Sequence, residues 1–362
     1  MAAHFHQLRV KDIRRETAGC ISIAFDIPPS LQQEFAFIQG QNITIKATVN
    51  GEEIRRTYSI CSSPLEDELR IAVKKVADGK FSSWAHQSIT KGSLLSVLPP
   101  TGKFYTPLDA GNKKHYMGFA AGSGITPLLS IIKTTLVTEP YSHFTLVYGN
   151  KNRANIIFKE ALEAVKNKFL SRFSVHHILS REKTDTPLSQ GRIDAAKCEA
   201  IFQHVAAVKN FDAFFLCGPA AMIFTVRDFL AKKGVQKKSI HFELFSTPDQ
   251  HGTATITRDG ITEPADAGKT SKVTIKLDGV SFDFDLPYAG PSILNAALAL
   301  GADLPYACKG GVCATCRAKL LSGEVVMDNN YALEPEEVAN GYILTCQSHP
   351  QAEYLIIDFD HQ

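Results

Sequence analysis

Four of the eight cysteines in this 362-residue chain lie close together in its last 55 residues. Cys308 is followed by Cys313 after four intervening residues and by Cys316 after two more, and Cys346 follows after another 29 residues. Thiolates at this spacing can hold the two irons of a [2Fe–2S] cluster, with three of them supplied by one tight segment. Residues 309–312 include two glycines, which let the backbone wrap closely so that its N–H groups can reach cluster sulfurs.

Two other interpretations of these cysteines stay open on the sequence alone. One is a structural zinc site, although such sites usually pair two C-x2-C segments and only Cys313 and Cys316 have that spacing. The other is a set of thiols with no ligand at all. A group of four cysteines in a chain expected to be cytoplasmic favours metal binding over disulfides.

The residues around the cysteines predict how they are positioned. A tight turn at Asp278-Gly279 predicts a β-hairpin over 272–286, and a helix is predicted over 291–300. With the cysteine spacing, this stretch resembles a plant-type ferredoxin over residues 272–362. The resemblance implies an α+β domain of the β-grasp fold and makes Cys308, Cys313, Cys316 and Cys346 the ligands of the cluster.

A second group of residues that could take part in chemistry lies in a β-rich stretch near the start of the chain, at Arg56-Thr57-Tyr58-Ser59. The segment resembles the R-x-Y-S flavin motif of the ferredoxin–NADP reductase family. The resemblance implies that the arginine neutralises the flavin pyrophosphate, the tyrosine stacks on the isoalloxazine ring and the serine hydrogen-bonds near the flavin N5. The same four residues would also suit an ordinary strand. Further on, the backbone N–H groups of 79–82 could cradle a phosphate at the start of a helix.

The order of these motifs resembles the ferredoxin–NADP reductase family, whose R-x-Y-S segment, second contact segment and phosphate-binding turn hold the flavin. Carried over position by position, the resemblance implies flavin contacts from Arg56, Thr57, Tyr58, Ser59, Val73, Lys74, Gly79, Lys80, Phe81 and Ser82. A pyrophosphate site favours FAD over FMN.

Two predicted strands, 115–120 and 213–216, each end at a turn that contains glycine. Glycines there let a dinucleotide pyrophosphate approach the N–H groups of the following helix, although a tight strand–helix connection without a ligand has the same pattern. The resemblance to the reductase family implies that these two turns, and the residues after a predicted strand at 173–179, contact the nicotinamide coenzyme. The implied residues are Gly122, Gly124, Thr126, Pro127, Ser180, Arg181, Cys217, Gly218 and Pro219.

The resemblance assigns the transfer chemistry to Ser59, Cys217 and Glu243. In the family, the cysteine lies against the nicotinamide, and an acidic residue at the end of the nucleotide domain lies near the flavin. Ser180 and Arg181 match the site of the adenosine 2′-phosphate, because a guanidinium can bind a phosphate through two hydrogen bonds. NADPH is therefore favoured, and two nearby acidic residues keep NADH open.

The elements that position these residues change in type along the chain. Short β-rich runs at 42–49, 69–76 and 93–98 predict an antiparallel barrel or sandwich, and the resemblance to the reductase family implies an FAD-binding β-barrel over residues 1–110. Alternating strands and helices predict an α/β domain with a parallel sheet in 111–246. Residues 247–271 are rich in Ser, Thr, Pro, Gly and Asp, which is typical of a linker. The ferredoxin domain follows at 272–362.

Composition limits the class of protein. A net charge of +2 and 44% hydrophobic residues indicate a globular protein and argue against nucleic-acid binding. The charge divides unevenly, −7 from residue 272 onward and +9 before it, which suggests separate modules. The start lacks a signal-peptide pattern, and the longest uncharged stretch is interrupted by Gly and Pro, so we expect a cytoplasmic protein that does not enter membranes. We also expect a monomer.

In sequence, the whole chain resembles the reductase components of multicomponent oxygenases, and among them the reductase subunits of phenylacetyl-CoA ring 1,2-epoxidases. The resemblance implies hydride transfer from NADPH to FAD and single-electron transfer through the [2Fe–2S] cluster to an oxygenase. A reductase for another hydroxylase or desaturase, such as the 3-ketosteroid 9α-hydroxylase type, and a general diaphorase stay open. A non-catalytic, zinc-stabilised binding protein is the alternative from a different class.

Overall fold

Antiparallel, parallel and mixed sheets follow one another along the chain in a computed structural model that describes residues 4–245 and 268–361. Residues 246–267, which include most of the predicted linker at 247–271, lie outside the described residues. The first strand of the C-terminal domain begins at Thr270, two residues before the predicted domain start.

The N-terminal sheet contains six antiparallel strands. They are β1 His6–Thr17, β2 Cys20–Asp26, β3 Asn42–Val49, β4 Glu52–Ser59, β5 Leu69–Lys74 and β6 Leu94–Val97, with helix α1 at Lys80–Ser88. Their spatial order is β4-β3-β6-β1-β2-β5. The two edge strands meet through an Ile60–Ile71 bridge, and Cys61 N donates to Arg70 O at 2.8 Å. The sheet therefore closes into the predicted barrel, around a core that includes Ile23 and Ile43.

The central sheet contains five parallel strands with helices on both faces. The elements are β7 His115–Ala121, α2 Ile125–Thr138, β8 His143–Asn150, α3 Lys159–Lys168, β9 Phe173–Leu179, α4 Ala195–His204, β10 Ala213–Gly218, α5 Ala220–Lys232 and β11 Ile240–Leu244. The strand order is β11-β10-β7-β8-β9. Successive side chains of a strand point to opposite faces, so Phe215 joins the core under α2 while Phe214 packs on Phe202 of α4.

The C-terminal domain has a mixed five-stranded sheet crossed by a helix. Its elements are β12 Thr270–Leu277, β13 Val280–Pro287, α6 Ile293–Ala299, β14 Arg317–Ser322, β15 Val325–Met327, α7 Pro335–Ala339, β16 Tyr342–Leu344, β17 Ser348–Pro350 and β18 Tyr354–Asp358. The order β13-β12-β18-β14-β16, with β12 and β18 parallel, is that of the expected β-grasp fold. Helix α6 buries Ile293, Leu294 and Ala297 completely against this sheet.

The predicted elements agree closely with those observed. The hairpin turn is confirmed, because Asp278 and Gly279 both have the positive φ that a type I′ turn requires. Helix α6 is shorter than predicted, since it begins at Ile293 after Pro291 and Ser292 and ends before Leu300. No helix in the described part of the chain is long and apolar enough to cross a membrane.

Candidate functional site

The glycine turn after β7 lies directly against the end of β10. A Cβ atom on Gly124 would come within 2.0 Å of Cys217 O, and one on Gly218 within 2.7 Å of the Met222 methyl group. Only glycine allows this close approach, so the two turns predicted from sequence share one edge of the sheet. Parallel strands present their carboxyl ends at that edge, where nucleotides bind in open α/β sheets.

The turn leads into α2 with its first residues satisfied locally. Thr126 is buried, and its hydroxyl donates to Ser123 O at 3.0 Å. Pro127 lies in the first turn of α2. Backbone N–H groups there have no partner within the helix, so the N–H that proline lacks is not needed. Pro219 lies immediately before the first residue of α5 and is its N-cap.

Lys74, expected to contact the flavin, also lies close to the glycine turn after β7. It ends barrel strand β5, and a Cβ on Gly122 would lie 2.8 Å from its Nζ atom. Its ammonium group therefore reaches the glycine turn of the nucleotide domain. Burial lowers the pKa of Lys74, and the nearby positive charge of Lys151 lowers it further.

Three polar side chains from distant parts of the chain meet at the end of β11. Ser59 Oγ donates to Glu243 Oε2 at 2.7 Å, and Asn42 Nδ2 donates to Glu243 Oε1 at 3.3 Å. Glu243 is also paired in register with Cys217, its neighbour on β10. The three residues assigned to the transfer chemistry are thus brought together.

Burial controls the charges at this point. It raises the pKa of Glu243 to about 7, although the hydrogen bonds from Ser59 and Asn42 act in the opposite direction. Cys217 is fully buried, and this burial, with the nearby Glu243 carboxyl, raises the pKa of the thiol well above its usual value. Cys217 is therefore a neutral thiol at neutral pH, and Glu243 changes its charge near neutrality.

The residues expected around the flavin occupy strand β4 and its surroundings. Tyr58 packs on Phe81 with ring centroids 5.6 Å apart, and Phe81 is buried in the barrel core. Arg56 is exposed, and its Nη1 donates to Arg55 O at 2.8 Å. Thr57 is half-buried beside it on the strand, and Val73 on β5 is fully buried.

Helix α1 begins at the predicted phosphate turn. Gly79 is its N-cap, and Ser82 Oγ accepts from Val76 N at 3.1 Å, so the turn is closed by a side chain. A Cβ on Gly79 would lie 2.6 Å from Ser82 Oγ, which explains the glycine. The Lys80 ammonium group pairs with Glu52. The backbone of this turn fits a phosphate, because the first N–H groups of a helix have no partner within the helix.

The residues expected at the 2′-phosphate follow β9. Ser180 N and Arg181 N donate to Asn150 O and Lys151 O at 2.9 and 2.8 Å, which fixes the loop against the end of β8. The side chain of Arg181 is exposed. Glu182, which could have opposed a phosphate, instead pairs with Arg153 at 3.4 Å.

The four clustered cysteines form two pairs. Cys308 Sγ lies 3.1 Å from Cys313 Sγ, and the Cys316 thiol donates to Cys346. Over residues 4–245 and 268–361, no three His, Cys, Asp or Glu side chains converge on a point that one metal ion could occupy. Two pairs of thiols suit two irons better than a single tetrahedral zinc, which argues against the zinc alternative.

The loop that carries Cys308, Cys313 and Cys316 packs closely and directs a backbone N–H group at one of the sulfurs. Gly310 N donates to Cys308 Sγ at 3.4 Å, and a Cβ on Gly311 would lie 2.7 Å from Asn329 O. The hydrogen bond from the Cys313 thiol lowers the pKa of Cys308, and that from Cys316 lowers the pKa of Cys346. Four thiols in two pairs, wrapped by a loop whose backbone N–H groups can reach their sulfurs, fit the ligand set of a [2Fe–2S] cluster.

Asn42 is the site residue that sequence reasoning missed. It is separated from Glu243 by 201 positions, and no motif in the sequence connects the two.

Family models match three segments of the chain. An oxidoreductase FAD-binding domain matches residues 7–105, an oxidoreductase NAD-binding domain matches 119–228, and a 2Fe-2S iron-sulfur cluster binding domain matches 275–351. The order and type of the three sheets agree with these matches. FAD, a nicotinamide coenzyme and a [2Fe–2S] cluster are therefore the cofactors of the three domains.

Relatives match the full length. The chain is 43% identical to a subunit of the 1,2-phenylacetyl-CoA epoxidase of Escherichia coli K12, over 98% of both chains. It is 34% identical to the ferredoxin reductase component of 3-ketosteroid-9-alpha-monooxygenase of Rhodococcus rhodochrous, over 97% of this chain and 96% of the relative.

Among solved structures, phthalate dioxygenase reductase superposes with a TM-score of 0.58 at 25% identity and covers 98% of each chain. That structure is described as a modular one for electron transfer from pyridine nucleotides to [2Fe-2S]. The chain is thus an electron-transferring oxidoreductase, and it belongs to the family of oxygenase reductase components that join FAD-binding, NAD-binding and C-terminal [2Fe–2S] ferredoxin domains in one polypeptide.

Proposed function

We propose that this protein delivers electrons from NADPH to an oxygenase that converts phenylacetyl-CoA to its ring 1,2-epoxide. The observation that carries the proposal is the 43% identity to the Escherichia coli epoxidase component over 98% of both chains. The reductase component of the Rhodococcus 3-ketosteroid monooxygenase is less similar, at 34%, and this type of oxygenase stays as the second candidate for the partner. A general diaphorase without a dedicated partner is the third.

When bound, FAD accepts a hydride from the nicotinamide and releases electrons singly, and the cluster carries one electron at a time. The chain supplies the positions and charges. Arg56 and the N–H groups at 79–82 would hold the flavin phosphates, and Tyr58 would lie along the ring. Ser59, held by Glu243, would orient its hydroxyl at the flavin edge. Cys308, Cys313, Cys316 and Cys346 would hold the cluster.

The nucleotide domain would hold the coenzyme through the turns at Gly122–Gly124 and Cys217–Pro219, since both lack bulk where a pyrophosphate approaches. Cys217 would lie beneath the nicotinamide as a small neutral group. For coenzyme choice, Arg181 supports NADPH, because its side chain is exposed beside a loop whose nearby Glu182 is already paired with Arg153.

The organisation of the chain is part of the proposal. We take 1–110 as the flavin domain, 111–246 as the nucleotide domain, 247–271 as a linker and 272–362 as the ferredoxin. The protein would act as a monomer in the cytoplasm, apart from membranes and nucleic acid. The acidic charge of the ferredoxin and the basic charge of the rest support electrostatic docking during transfer.

Reconstitution with purified oxygenases tests the proposal. The full-length protein and NADPH should support epoxide formation with a phenylacetyl-CoA epoxygenase, and much less product with a 3-ketosteroid 9α-hydroxylase. Reduction of a small dye in the same preparations measures the reductase itself. Equal support of both oxygenases, with normal dye reduction, would contradict the assigned partner and favour the diaphorase.

A further inference from the structure

The strongest unassigned feature of the site is Asn42 at the start of β3. This residue is 8% exposed, and its amide Nδ2 donates to Glu243 Oε1 at 3.3 Å, while Ser59 occupies the other carboxyl oxygen. The barrel therefore contacts the last strand of the nucleotide domain through two hydrogen bonds to one carboxyl group. One of them comes from a motif residue and the other from a residue outside every motif.

The direction of the Asn42 amide is set by residues 101–102. Thr101 Oγ1 donates to Asn42 Oδ1 at 3.4 Å, so the carbonyl side of the amide faces Thr101 and the NH2 side faces Glu243. The backbones of Asn42 and Thr101 exchange two hydrogen bonds of 2.8 Å. Gly102 has a φ of +109°, and a Cβ atom there would lie 2.8 Å from Nδ2, where only glycine leaves room. The amide is thus held in one orientation.

An amide NH2 and a hydroxyl act differently on a carboxyl group. Ser59 Oγ can donate to a carboxylate or accept from a carboxylic acid, but the Asn42 NH2 group can only donate. Asn42 therefore favours the ionised form of Glu243, because a carboxylate oxygen accepts a stronger hydrogen bond than the carbonyl oxygen of the acid. The titratable group that faces Glu243 from the adjacent strand is the Cys217 thiol, and no ion pair of Glu243 is present among residues 4–245 and 268–361.

We propose that Asn42 is a positioning residue of the reductase reaction: it directs the Glu243 carboxyl group toward Ser59 and favours its ionised form. The inference rests on the proposed function, which places Glu243 in the reaction site. It adds a residue that holds the charge of Glu243 against the opposing effect of burial, which raises the pKa of this carboxyl to about 7. Loss of Asn42 should raise it further, because one of two donors to the carboxylate is gone.

The test measures the titration of Glu243 in the full-length holoprotein from about pH 5 to about pH 9.5, a range that brackets an ordinary and a raised carboxyl pKa. Infrared difference spectra against Glu243→Gln report the protonated carboxyl band directly. Stopped-flow reduction of the flavin by NADPH gives the pH profile of the reaction. Asn42→Ala and Thr101→Val are the test variants. Asn112→Ala is the matched control, since Asn112 Nδ2 donates to the buried Glu139 at 2.6 Å elsewhere in the protein.

We expect Asn42→Ala to move the infrared titration and the kinetic profile upward by about one pH unit. Thr101→Val should move them less in the same direction, and Asn112→Ala should leave them unchanged. In a Glu243→Gln background, Asn42→Ala should add no further shift. If Glu243 in the Asn42→Ala variant titrates as in the wild type, the inference is wrong. It is also wrong if Asn42→Ala still shifts the kinetic profile in the Glu243→Gln background.

Two further outcomes keep the inference separate from the proposed function. If Asn42→Ala does not fold, Thr101→Val decides the question, because it leaves the amide in place and removes only the group that orients it. If the wild-type flavin is not reduced by NADPH or NADH, the proposed function fails. The infrared titration then still decides whether Asn42 controls Glu243.

Discussion

The Ser59 hydroxyl donates a hydrogen bond of 2.7 Å to Glu243 Oε2, although 184 positions separate the two residues in the chain. Ser59 ends barrel strand β4, and Glu243 lies on β11, the edge strand of the parallel sheet. The bond joins the residue expected beside the flavin to the last strand of the nucleotide domain. The charge of one carboxyl group is therefore set by both domains together.

That carboxyl group should make stability depend on pH. Its pKa is about 7 in the folded protein, against an ordinary 4.5, because of burial. Between these values the folded protein keeps a proton that the unfolded chain has lost, so the stability contributed by this site falls as pH rises through the window. Glu243→Gln should then stabilise the protein by on the order of 1–3 kcal/mol at about pH 8 and have little effect at about pH 5. Urea unfolding followed by flavin release measures this, and an equal effect at both pH values would exclude Glu243 as the titrating group.

The contact between the two glycine turns should be sensitive to a single methyl group. A Cβ on Gly124 would lie 2.0 Å from Cys217 O, so Gly124→Ala must displace the end of β10. We expect flavin reduction by NADPH to slow by about 10²-fold, as for a misplacement of about 1 Å near reacting groups, while FAD stays bound. Gly19→Ala is the control, because a Cβ there meets nothing within 4 Å. A normal rate in Gly124→Ala would mean that the turn does not position the coenzyme.

Coenzyme choice should depend on Arg181. If its exposed guanidinium binds the 2′-phosphate, Arg181→Ala should raise the KM for NADPH far more than that for NADH. Loss of one charge-assisted contact costs on the order of 1.5–3 kcal/mol, which is about tenfold or more in KM. Arg192→Ala, at another exposed arginine of the same domain, serves as the control. Equal effects of Arg181→Ala on both coenzymes would show that this side chain does not recognise the phosphate.

Removal of one cluster thiol should affect the iron–sulfur site without affecting the flavin site. Cys316 is buried and pairs with Cys346 within the ferredoxin core. Cys316→Ser should abolish or strongly deplete the [2Fe–2S] absorption and the paramagnetic signal of the reduced protein, and leave flavin absorption intact. Cys198→Ser, at a buried cysteine of the nucleotide domain, is the matched control. Purified wild-type protein with stoichiometric zinc and no iron would contradict the assignment of all four ligands.

The three-domain organisation predicts that the chain can be divided. A fragment ending near residue 246 should bind FAD and oxidise NADPH with a two-electron dye but fail to drive the oxygenase. Because β12 begins at Thr270, the complementary fragment should start at about residue 268 to keep its first strand, and it should hold the cluster.

Mixing the two fragments should restore part of the oxygenase activity. The restored transfer should fall with added salt if the acidic ferredoxin is attracted to the basic remainder of the chain. Product formation with each fragment alone and with both is the measurement. Full activity from the flavin fragment alone would place the ferredoxin off the electron path.

Features that depend on short stretches of chain were predictable from the sequence alone. The spacing of Cys308, Cys313 and Cys316 limits them to one loop, and the turn at Asp278-Gly279 follows from the conformations those two residues tolerate. Strand β9 was predicted with its observed bounds, because hydrophobic periodicity is a local property. These local signals, in their order along the chain, were sufficient to identify three domains and their cofactors.

Only the tertiary structure decided which residues of different domains meet. No motif indicated that the Lys74 ammonium group reaches the glycine turn of the nucleotide domain, and Asn42 carried no signal in the sequence. The raised pKa of Glu243 likewise required its burial to be known. The physical reason is that such contacts depend on how the faces of two folded domains pack, and packing is set by the summed shape of many side chains rather than by any local pattern.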